Sequence, residues 1–283
     1  EADLKPELPA NTITEGQTDY DHYGNNADWY HLQTPGNGVL NVTIASVAAA
    51  AGTVRVYVYN GGGSQLDYFD TPIGTGGIAA VNTASFTCYG AGNYYLNVVA
   101  LSSCGVSYQL SWSLTAPLFA NDAEPNNNKT DADANPILAH NTITEGQTNF
   151  NYYGNNAEWY HIQTPGNGVL NVTLVSAAAG TGTMRVYVYN GAGSQLDYFD
   201  TPVGSGGVPA VGTASFNCYG QGDYYLNVQS NGPCGVSYQL SYSVTSPLFA
   251  NDTEPNGTTG TALAFDPEAT TQHGKLDFDY YGD

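Results

Sequence analysis

The amino-acid sequence predicts an all-β protein made of tandem antiparallel β-sandwich domains with jelly-roll or Greek-key topology. Three observations support this fold class. Apolar residues occur in short bursts between Gly, Asn, Thr and Ser, as in β proteins with frequent turns. Apolar and polar residues alternate within those bursts, which is typical of strands with one buried face. The sequence also repeats itself at a long, fixed interval.

The repeat unit has the size of a whole domain. NTITEGQT occurs at 11–18 and again at 141–148, and RVYVYNGGGSQLDYFDTP at 55–72 returns at 185–202 with one substitution. The shift of 130 residues is the same for both segments. Because this period is much longer than that of solenoid repeats, each copy is expected to fold around its own core.

These copies set the predicted domain boundaries. Residues 1–119 form repeat 1, a sandwich whose N-terminal linker is incomplete, and residues 120–249 form repeat 2. NDTEPN at 251–256 opens another copy. Residues 250–283 are therefore interpreted as the truncated start of repeat 3.

Strand positions in repeat 1 follow from the alternation of apolar and polar residues. In the segment 38–45, Leu40, Val42 and Ile44 point to one face, and polar residues lie between them. Turn signals such as PGNG separate such segments. One-sided alternation with frequent turns predicts a sandwich of two antiparallel sheets. The predicted strands lie at 28–33, 38–45, 53–60, 64–69, 84–89, 93–100 and 107–114.

The charge balance excludes several classes of partner. The chain of 283 residues has 25 acidic and five basic residues, a net charge of −20. Nucleic acids and anionic lipid surfaces both require clusters of Lys and Arg, so neither is an expected partner. No apolar run approaches the roughly 18–20 residues of a membrane-spanning helix, so no membrane insertion is expected. The excess of carboxylates is compatible with divalent cations.

The four cysteines occur as one pair in each repeat. Cys88 and Cys104 are 16 residues apart, as are Cys218 and Cys234, and no CxxC spacing suggests zinc. One disulfide within each repeat is predicted, which implies an oxidising compartment. In a simple meander, the two cysteines of a pair would lie at opposite ends of the middle strand. The chain must therefore cross between sheets or bend near residues 89–92, or else the disulfides are intermolecular.

Tyrosine is abundant, with 23 residues. Tyr57 and Tyr59 are expected on the outer face of the strand at 53–60, beside Arg55. Exposed tyrosines favour a binding or self-assembly surface for a protein, a collagen-like peptide or a sugar. The alternative is that Tyr serves only as a strand-forming residue.

Five motifs occur in repeat 2 in the order of a known family. Each motif alone is weak, but the ordered set resembles the bacterial pre-peptidase C-terminal (PPC) domain, whose relatives include the collagen-binding domains of clostridial collagenases. The resemblance covers each repeat from linker to last strand. It implies a jelly-roll sandwich appended to a secreted protein, with a calcium-stiffened linker in some members. The motifs are NDAEPNN at 121–127, EWYHI at 158–162, VYVYN at 186–190, GDYYLNV at 222–228 and YQLS at 238–241.

The resemblance also implies a calcium site between the linker and the sandwich. Calcium requires about six to eight oxygen ligands, which carboxylates and amides can supply. The alternative is that NDAEPNN is only a polar interdomain hinge. Repeat 1 lacks the linker motif, since its first residues are EADLKPELP. The predicted ligands are Asp122, Glu124, Asn126, Asn127, Asn155 and Glu158 in repeat 2, Asn25 and Asp28 in repeat 1, and Asp252, Glu254 and Asn256 in repeat 3.

No catalytic constellation is visible, since G-x-S-x-G, H-E-x-x-H and P-loop motifs are missing. The sequence therefore predicts a non-catalytic, structural or adhesive repeat region of a secreted or cell-surface bacterial protein. It is expected to be calcium-stabilised and to contact neighbouring repeats or copies of itself. One alternative is an accessory module of a secreted hydrolase that binds extracellular protein or polysaccharide. Another is a subunit of an extracellular filament.

Overall fold

The fold was obtained as a computed structural model. It separates into two compact units, the first built on residues up to Pro117 and the second mainly on residues from Leu118 onward. Most of repeat 3 lies outside the described residues, so its prediction is not tested. The described residues are 6–18, 27–101, 105–148, 150, 157–232, 234–248, 258–260, 262, 264 and 271–274, without the side chain of Cys218.

The first unit is an antiparallel sandwich of two four-stranded sheets. Its strands are β1 (Thr14–Thr18), β2 (Ala27–Thr34), β3 (Gly38–Val47), β4 (Thr53–Asn60), β5 (Gln65–Pro72), β6 (Ala80–Tyr89), β7 (Gly92–Ala100) and β8 (Val106–Thr115). One sheet has the order β1-β8-β3-β6 and the other β2-β7-β4-β5. This is the strand order of a jelly roll.

The second unit repeats this topology after a short helix. Its elements are α1 (Lys129–Ala134), β9 (Ile143–Thr148), β10 (Ala157–Thr164), β11 (Gly168–Ala177), β12 (Thr183–Asn190), β13 (Gln195–Pro202), β14 (Ala210–Tyr219), β15 (Gly222–Asn231) and β16 (Val236–Thr245). The sheets have the orders β9-β16-β11-β14 and β10-β15-β12-β13. The predicted fold class, tandem antiparallel β-sandwiches, is confirmed.

Each sandwich is held together by the inward-facing residues of its alternating strands. In β4, Val54, Val56 and Val58 are fully buried. Tyr57 and Tyr59, which alternate with them along the strand, are partly exposed. Burying a valine or leucine side chain contributes roughly 1.5–3 kcal/mol, so these alternating positions dominate the stability of the fold. The same alternation leaves the outer face of the sheet free for other side chains.

A crossing between sheets, one of the alternatives that the cysteine spacing left open, occurs between β6 and β7. These consecutive strands belong to different sheets. Cys88 lies near the end of β6 with a φ of 70°, a backbone conformation that residues other than Gly rarely adopt. A register shift in the β3–β6 pairing lies opposite this point. The simple meander that would separate the cysteines is therefore not formed.

Three described elements were not predicted from the sequence: β1, its counterpart β9 and the helix α1. β1 has the sequence TEGQT, which lacks the large apolar residues that reveal other strands. α1 has the sequence KTDADA and begins after Asn128, whose side-chain oxygen accepts a hydrogen bond from the Asp131 N–H over 3.1 Å. No described helix is long and apolar enough to cross a membrane.

Candidate functional sites

The linker 121–127 is fixed against the second sandwich by hydrogen bonds to its backbone. The Trp159 N–H in β10 donates to the Asn126 carbonyl over 2.7 Å. The Asn135 side chain, just after α1, donates to the Pro125 carbonyl over 2.9 Å. These contacts hold the linker side chains beside the first residues of β10.

Three carboxyl groups meet at this junction. One oxygen from each of Asp122, Glu124 and Glu158 lies within 4.8 Å of the other two. Glu158 in β10 and Asn126 in the linker are each only 2% exposed. Asn126 Nδ2 donates to Asp122 Oδ2 over 2.6 Å, and the Asn126 N–H donates to Glu124 Oε2 over 3.3 Å. A single asparagine therefore orients both linker carboxylates.

Three buried oxygens of this cluster have no hydrogen-bond partner among the described residues. They are Asp122 Oδ1, Asn126 Oδ1 and Glu158 Oε2. Leaving a buried polar atom unpartnered costs about 1–3 kcal/mol, and more if the atom is charged. A hydrogen-bond donor or a positive ion placed between them would satisfy these oxygens.

The pKa values of the buried Glu158 and the half-buried Asp122 are both raised above the ordinary values of these side chains. Burial raises the pKa of Glu158 to about 9, and the neighbouring charges of Glu124 and Asp122 add to the effect. Burial also raises the pKa of Asp122 to about 6, although the hydrogen bond from the Tyr160 hydroxyl, 2.5 Å long, opposes the rise. A cation between these groups would compensate both burial and repulsion.

The donor set of this cluster fits calcium. Calcium binds carboxylate and amide oxygens at about 2.3–2.6 Å, so ligands on opposite sides of one ion are up to roughly 5 Å apart. The carboxyl oxygens of Asp122, Glu124 and Glu158 satisfy this spacing. Asn126 Oδ1 adds a neutral oxygen of the kind that calcium sites often include.

The other predicted ligands are placed differently. Asn127 is exposed, and its N–H donates to Asp131 Oδ2 in the turn before α1. Asp28, the counterpart of Glu158 in repeat 1, accepts a hydrogen bond from the Tyr108 hydroxyl over 2.5 Å. The remaining predicted ligands, Asn25, Asn155, Asp252, Glu254 and Asn256, lie outside the described residues.

In a buffer that contains a chelator, so that no metal is bound, the second unit is expected to lose stability as the pH rises from about 4.5 to about 9. The folded-state pKa of Glu158, about 9, lies above its ordinary value of 4.5. Its contribution is therefore fully present below the ordinary pKa and is lost as the pH rises through the folded one. Urea unfolding in EDTA across this range measures the slope. Glu158→Gln should reduce the slope to the smaller contribution of Asp122, whose pKa is also raised. A wild-type slope no steeper than the variant's contradicts the expectation.

The structure supports part of the disulfide prediction. Cys88 and Cys234 are each disulfide-bonded. Cys104 and the side chain of Cys218 lie outside the description, so the pairing within each repeat stays a prediction.

Peptide mapping without reductant is expected to link Cys88 to Cys104 and Cys218 to Cys234. Closing a loop of about 15 residues stabilises by roughly 3 kcal/mol in the chain-entropy model, so reduction should lower the melting temperature of both units. Dimers that disappear on reduction, together with no intrachain linked peptides, contradict pairing within each repeat.

The outer face of one sheet in the first unit carries a continuous strip of aromatic rings. Centroid distances are 4.8 Å from Trp29 to Tyr59, 6.2 Å from Tyr59 to Tyr57 and 6.0 Å from Tyr57 to Tyr68. Trp29 and Tyr68, at the two ends, are 40% and 52% exposed. We call these four residues the aromatic strip of the first unit.

The strand register creates this strip. Tyr57 in β4 lies opposite Tyr68 in β5 and opposite Asn97 in β7. Asn97 in turn lies opposite Trp29 in β2. Neighbouring strands are about 4.7–4.9 Å apart, so the strip extends roughly 14 Å across all four strands.

A fixed ion pair borders the strip. Arg55 donates to both carboxylate oxygens of Asp70, over 2.6 and 2.7 Å, and its guanidinium carbon lies 4.3 Å from the centroid of the Tyr68 ring. The hydrogen bond from Arg55 lowers the pKa of Asp70. Charged hydrogen-bonding groups are therefore held in one orientation beside the rings.

The second unit has the same arrangement. Centroid distances are 4.7 Å from Trp159 to Tyr189, 6.2 Å from Tyr189 to Tyr187 and 6.0 Å from Tyr187 to Tyr198. These four residues form its aromatic strip. Arg185 pairs with Asp200 in the same bidentate way.

The second unit differs from the first beside its aromatic strip, because a residue of α1 contacts Tyr225 there. Lys129 Nζ lies 4.3 Å from the centroid of the Tyr225 ring and donates to its hydroxyl over 2.9 Å. Tyr225 is only 3% exposed, whereas its counterpart Tyr95 is half-buried. The helix α1 thus covers Tyr225, which lies beside the aromatic strip.

Part of the aromatic strip was predicted from the sequence. Tyr57 and Tyr59 were expected beside Arg55 on an outer face, but Trp29 and Tyr68 were not predicted to lie there. Those two residues lie on other strands, and the strand pairing that brings them together is not visible from alternation alone. The identity of SQLDYFD in both repeats was the available indication.

The fold and these surfaces define a tandem of jelly-roll sandwiches with duplicated aromatic faces. No protein-family model and no curated protein matches the chain, so membership of the PPC family stays a prediction. A tandem of CBM22 domains from Paenibacillus barcinonensis Xyn10C aligns over 84% of this chain and 92% of its own length, with 10% identity and a TM-score of 0.27.

Two other solved structures are similar at the same low level. The PBSX exported protein XepA aligns over 82% of this chain and 87% of its own length, with 12% identity and a TM-score of 0.23. A Paenibacillus xanthan lyase aligns over 85% of this chain but 26% of its own length, with 16% identity and a TM-score of 0.26. Similarities this low carry no argument about function.

Proposed function

We propose that the chain is a non-catalytic tandem of carbohydrate-binding modules in an extracellular protein, and that the aromatic strips bind the polysaccharide. The supporting observation is that the same four rings, in the same order and spacing, lie on the same outer sheet face in both units. Exposed rings have no role in the core of either sandwich. Their duplication therefore favours a function at the surface.

The chemistry of the strip suits a sugar chain. A pyranose ring has one face of C–H groups that packs against an aromatic ring, and a rim of hydroxyls that needs donors and acceptors. Tyrosine offers both an apolar body and a polar tip. In the first unit, the Arg55–Asp70 pair adds oriented donors and acceptors at the end of the strip. An open strip, unlike a deep pocket, suits an extended polymer.

The charge of the chain narrows the class of polysaccharide. With a net charge of −20, the protein repels polyanions over the Debye length at physiological salt. A neutral or basic glycan is therefore favoured over an acidic one. The disulfides of Cys88 and Cys234 support an oxidising, extracellular location.

We further propose that calcium binds Asp122, Glu124, Asn126 and Glu158. The supporting observation is the set of buried oxygens that lack partners among the described residues. When bound, the ion would supply positive charge that lowers the pKa of both Glu158 and Asp122, so that Glu158 too would ionise at neutral pH. The linker would then be tied to β10 by the metal as well as by backbone hydrogen bonds.

Affinity electrophoresis of the whole chain tests the binding proposal. The gels would contain xylan, hydroxyethyl cellulose, galactomannan, chitosan or, as the acidic comparison, polygalacturonate. Retardation by a neutral or basic glycan supports the proposal. Mobility unchanged in all of these gels, with binding to fibrillar collagen instead, would favour the protein-binding alternative.

A further inference from the structure

Each aromatic strip includes a buried asparagine between its rings. Asn97 in β7 lies opposite Trp29 in β2 and opposite Tyr57 in β4, so it occupies the same row of the sheet as these rings. Asn227 in β15 has the equivalent position in the second unit. The two asparagines are 7% and 0% exposed. A polar amide therefore lies in the floor of each strip.

In the second unit, hydrogen bonds engage both ends of this amide. Gln229 Nε2 donates to Asn227 Oδ1 over 2.6 Å. Asn227 Nδ2 donates to the Glu158 carbonyl over 3.3 Å. Asn227 could turn toward a ligand only by losing these contacts, which would be unfavourable for a buried amide.

In the first unit, the acceptor of this amide is not engaged in the same way. Asn97 Oδ1 is buried and has no hydrogen-bond partner among the described residues. One substitution accounts for the difference, because Val99 stands at the position equivalent to Gln229 and has no side-chain donor. A buried acceptor without a partner is unfavourable, so a donor supplied by a ligand would stabilise it.

The substituted position lies beside the strip on the same face of the sheet. Val99 follows Asn97 by two residues in β7, so the two side chains are about 6–7 Å apart on one face. Val99 lies opposite Arg55, and Gln229 lies opposite Arg185. Val99 and Gln229 are both half-buried, so part of each is accessible. The surface next to the asparagine is thus apolar in the first unit and polar in the second.

An acetamido substituent on a sugar matches the surface of the first unit. Its N–H donates a hydrogen bond, and its methyl group is apolar. Asn97 Oδ1 is covered by the surrounding side chains, so the amide would turn outward to accept the hydrogen bond from the N–H. The methyl group would pack on Val99.

A hydroxyl at the same sugar carbon matches the surface of the second unit instead. Gln229 Nε2 is engaged by Asn227, and Gln229 Oε1 can accept a hydrogen bond from the hydroxyl. An acetamido methyl group at this place would cover the polar glutamine and find no acceptor that Asn227 could offer without losing its own contacts.

We propose that the aromatic strip of the first unit selects sugars that carry an acetamido group, and that the strip of the second unit selects sugars with a hydroxyl in its place. Val99 and Gln229 determine this difference in specificity. The inference rests on the proposed function, since it assigns a class of sugar to each strip. The rings have the same spacing in both units, so the discrimination comes from the neighbouring side chains.

Isothermal titration of the whole chain with two matched oligosaccharides tests the proposal. N-acetylchitohexaose and cellohexaose have the same β-1,4-linked backbone, but C2 carries an acetamido group in N-acetylchitohexaose and a hydroxyl in cellohexaose. Trp159→Ala weakens the strip of the second unit, so this variant reports mainly on the first. It is expected to bind N-acetylchitohexaose about tenfold more tightly than cellohexaose. Trp29→Ala reports mainly on the second unit and should show the reverse order.

Exchanging the two side chains tests which residues are responsible. Val99→Gln, added to Trp159→Ala, should remove the preference for N-acetylchitohexaose. Gln229→Val, added to Trp29→Ala, should remove the preference for cellohexaose. The melting temperature of each variant checks that the sandwich is still folded.

The outcomes separate this inference from the proposed function. Retardation of the wild type in a glycan gel supports the proposed function. If such a wild type shows the same order of affinity for the two oligosaccharides in both units, or if the exchanges leave the order unchanged, only the inference is overturned. If no glycan gel retards the wild type and neither oligosaccharide binds, the proposed function and the inference are both overturned.

Discussion

In a buffer that contains calcium, the melting temperature of the second unit is expected to be about 10 °C higher than in a buffer that contains EDTA. An ion that binds only the folded state stabilises by roughly 2.7 kcal/mol at a hundredfold excess over its dissociation constant. In the proposed site Glu158 and Asn126 are each only 2% exposed, so unfolding would separate the ligands and the ion would bind the folded state alone. Differential scanning calorimetry of the whole chain, in calcium and in EDTA, measures it.

Glu158→Gln should abolish the calcium effect without destabilising the metal-free protein. Burial and the charges of Glu124 and Asp122 raise the pKa of Glu158 to about 9, so at neutral pH the metal-free side chain already carries a proton. A neutral amide of similar shape therefore replaces a neutral carboxylic acid in EDTA. In calcium, the amide cannot supply the charge that the ion requires.

Asp223→Asn is the matched control for this change. Asp223 lies in β15 of the same unit and likewise exchanges a carboxyl for its amide, but its side chain is half exposed and outside the cluster. Its effect should stay within about 0.5 kcal/mol in both buffers. If wild-type melting is the same in calcium and EDTA, then the cluster holds no calcium and the linker is ordered by its hydrogen bonds alone.

The fold could be predicted from the sequence because its determinants are local and repeated. Val54, Val56 and Val58 alternate with partly exposed residues in a way that only a strand with one buried face explains. The repetition of the pattern after 130 residues then gave the tandem architecture. β1 escaped prediction because its short sequence TEGQT is joined to the sheet by backbone pairing with β8 rather than by its own apolar residues.

The carboxyl cluster of Asp122, Glu124 and Glu158 could be predicted only with help from the family resemblance. Asp122 and Glu124 are close in sequence, but nothing local indicates that Glu158, beyond α1 and β9, meets them. The burial of Glu158 could likewise not be predicted from the sequence. A glutamate in a strand is normally solvent-exposed, and its position here depends on the linker that folds over it.

Replacing both tryptophans of the aromatic strips, Trp29→Ala with Trp159→Ala, is expected to weaken the binding of a short oligosaccharide to each strip about tenfold. Each ring contributes about 0.5–1.5 kcal/mol beyond its buried area, so each substitution lowers the affinity of its own strip by about this factor. The tryptophans begin each strip and lie within 4.8 and 4.7 Å of Tyr59 and Tyr189. Isothermal titration with the glycan that retards the wild type measures the affinities.

The tandem arrangement affects how these losses combine. If one polymer chain engages both strips, the second contact is intramolecular and the affinity of the pair exceeds that of either strip. A single substitution then also removes the gain from linkage. The two single variants should therefore each lose more on a long polymer than on a short oligosaccharide, which can occupy only one strip.

Ile13→Ala with Ile143→Ala is the control for removing exposed apolar surface. These isoleucines are 67% and 66% exposed and occupy equivalent positions at the other sheet of each unit. Both double variants should keep the wild-type melting temperature, because Trp29 and the isoleucines lie outside the buried cores. If the tryptophan variant binds glycan as tightly as the isoleucine variant, the aromatic strips are not the binding surface, even where the wild type itself binds.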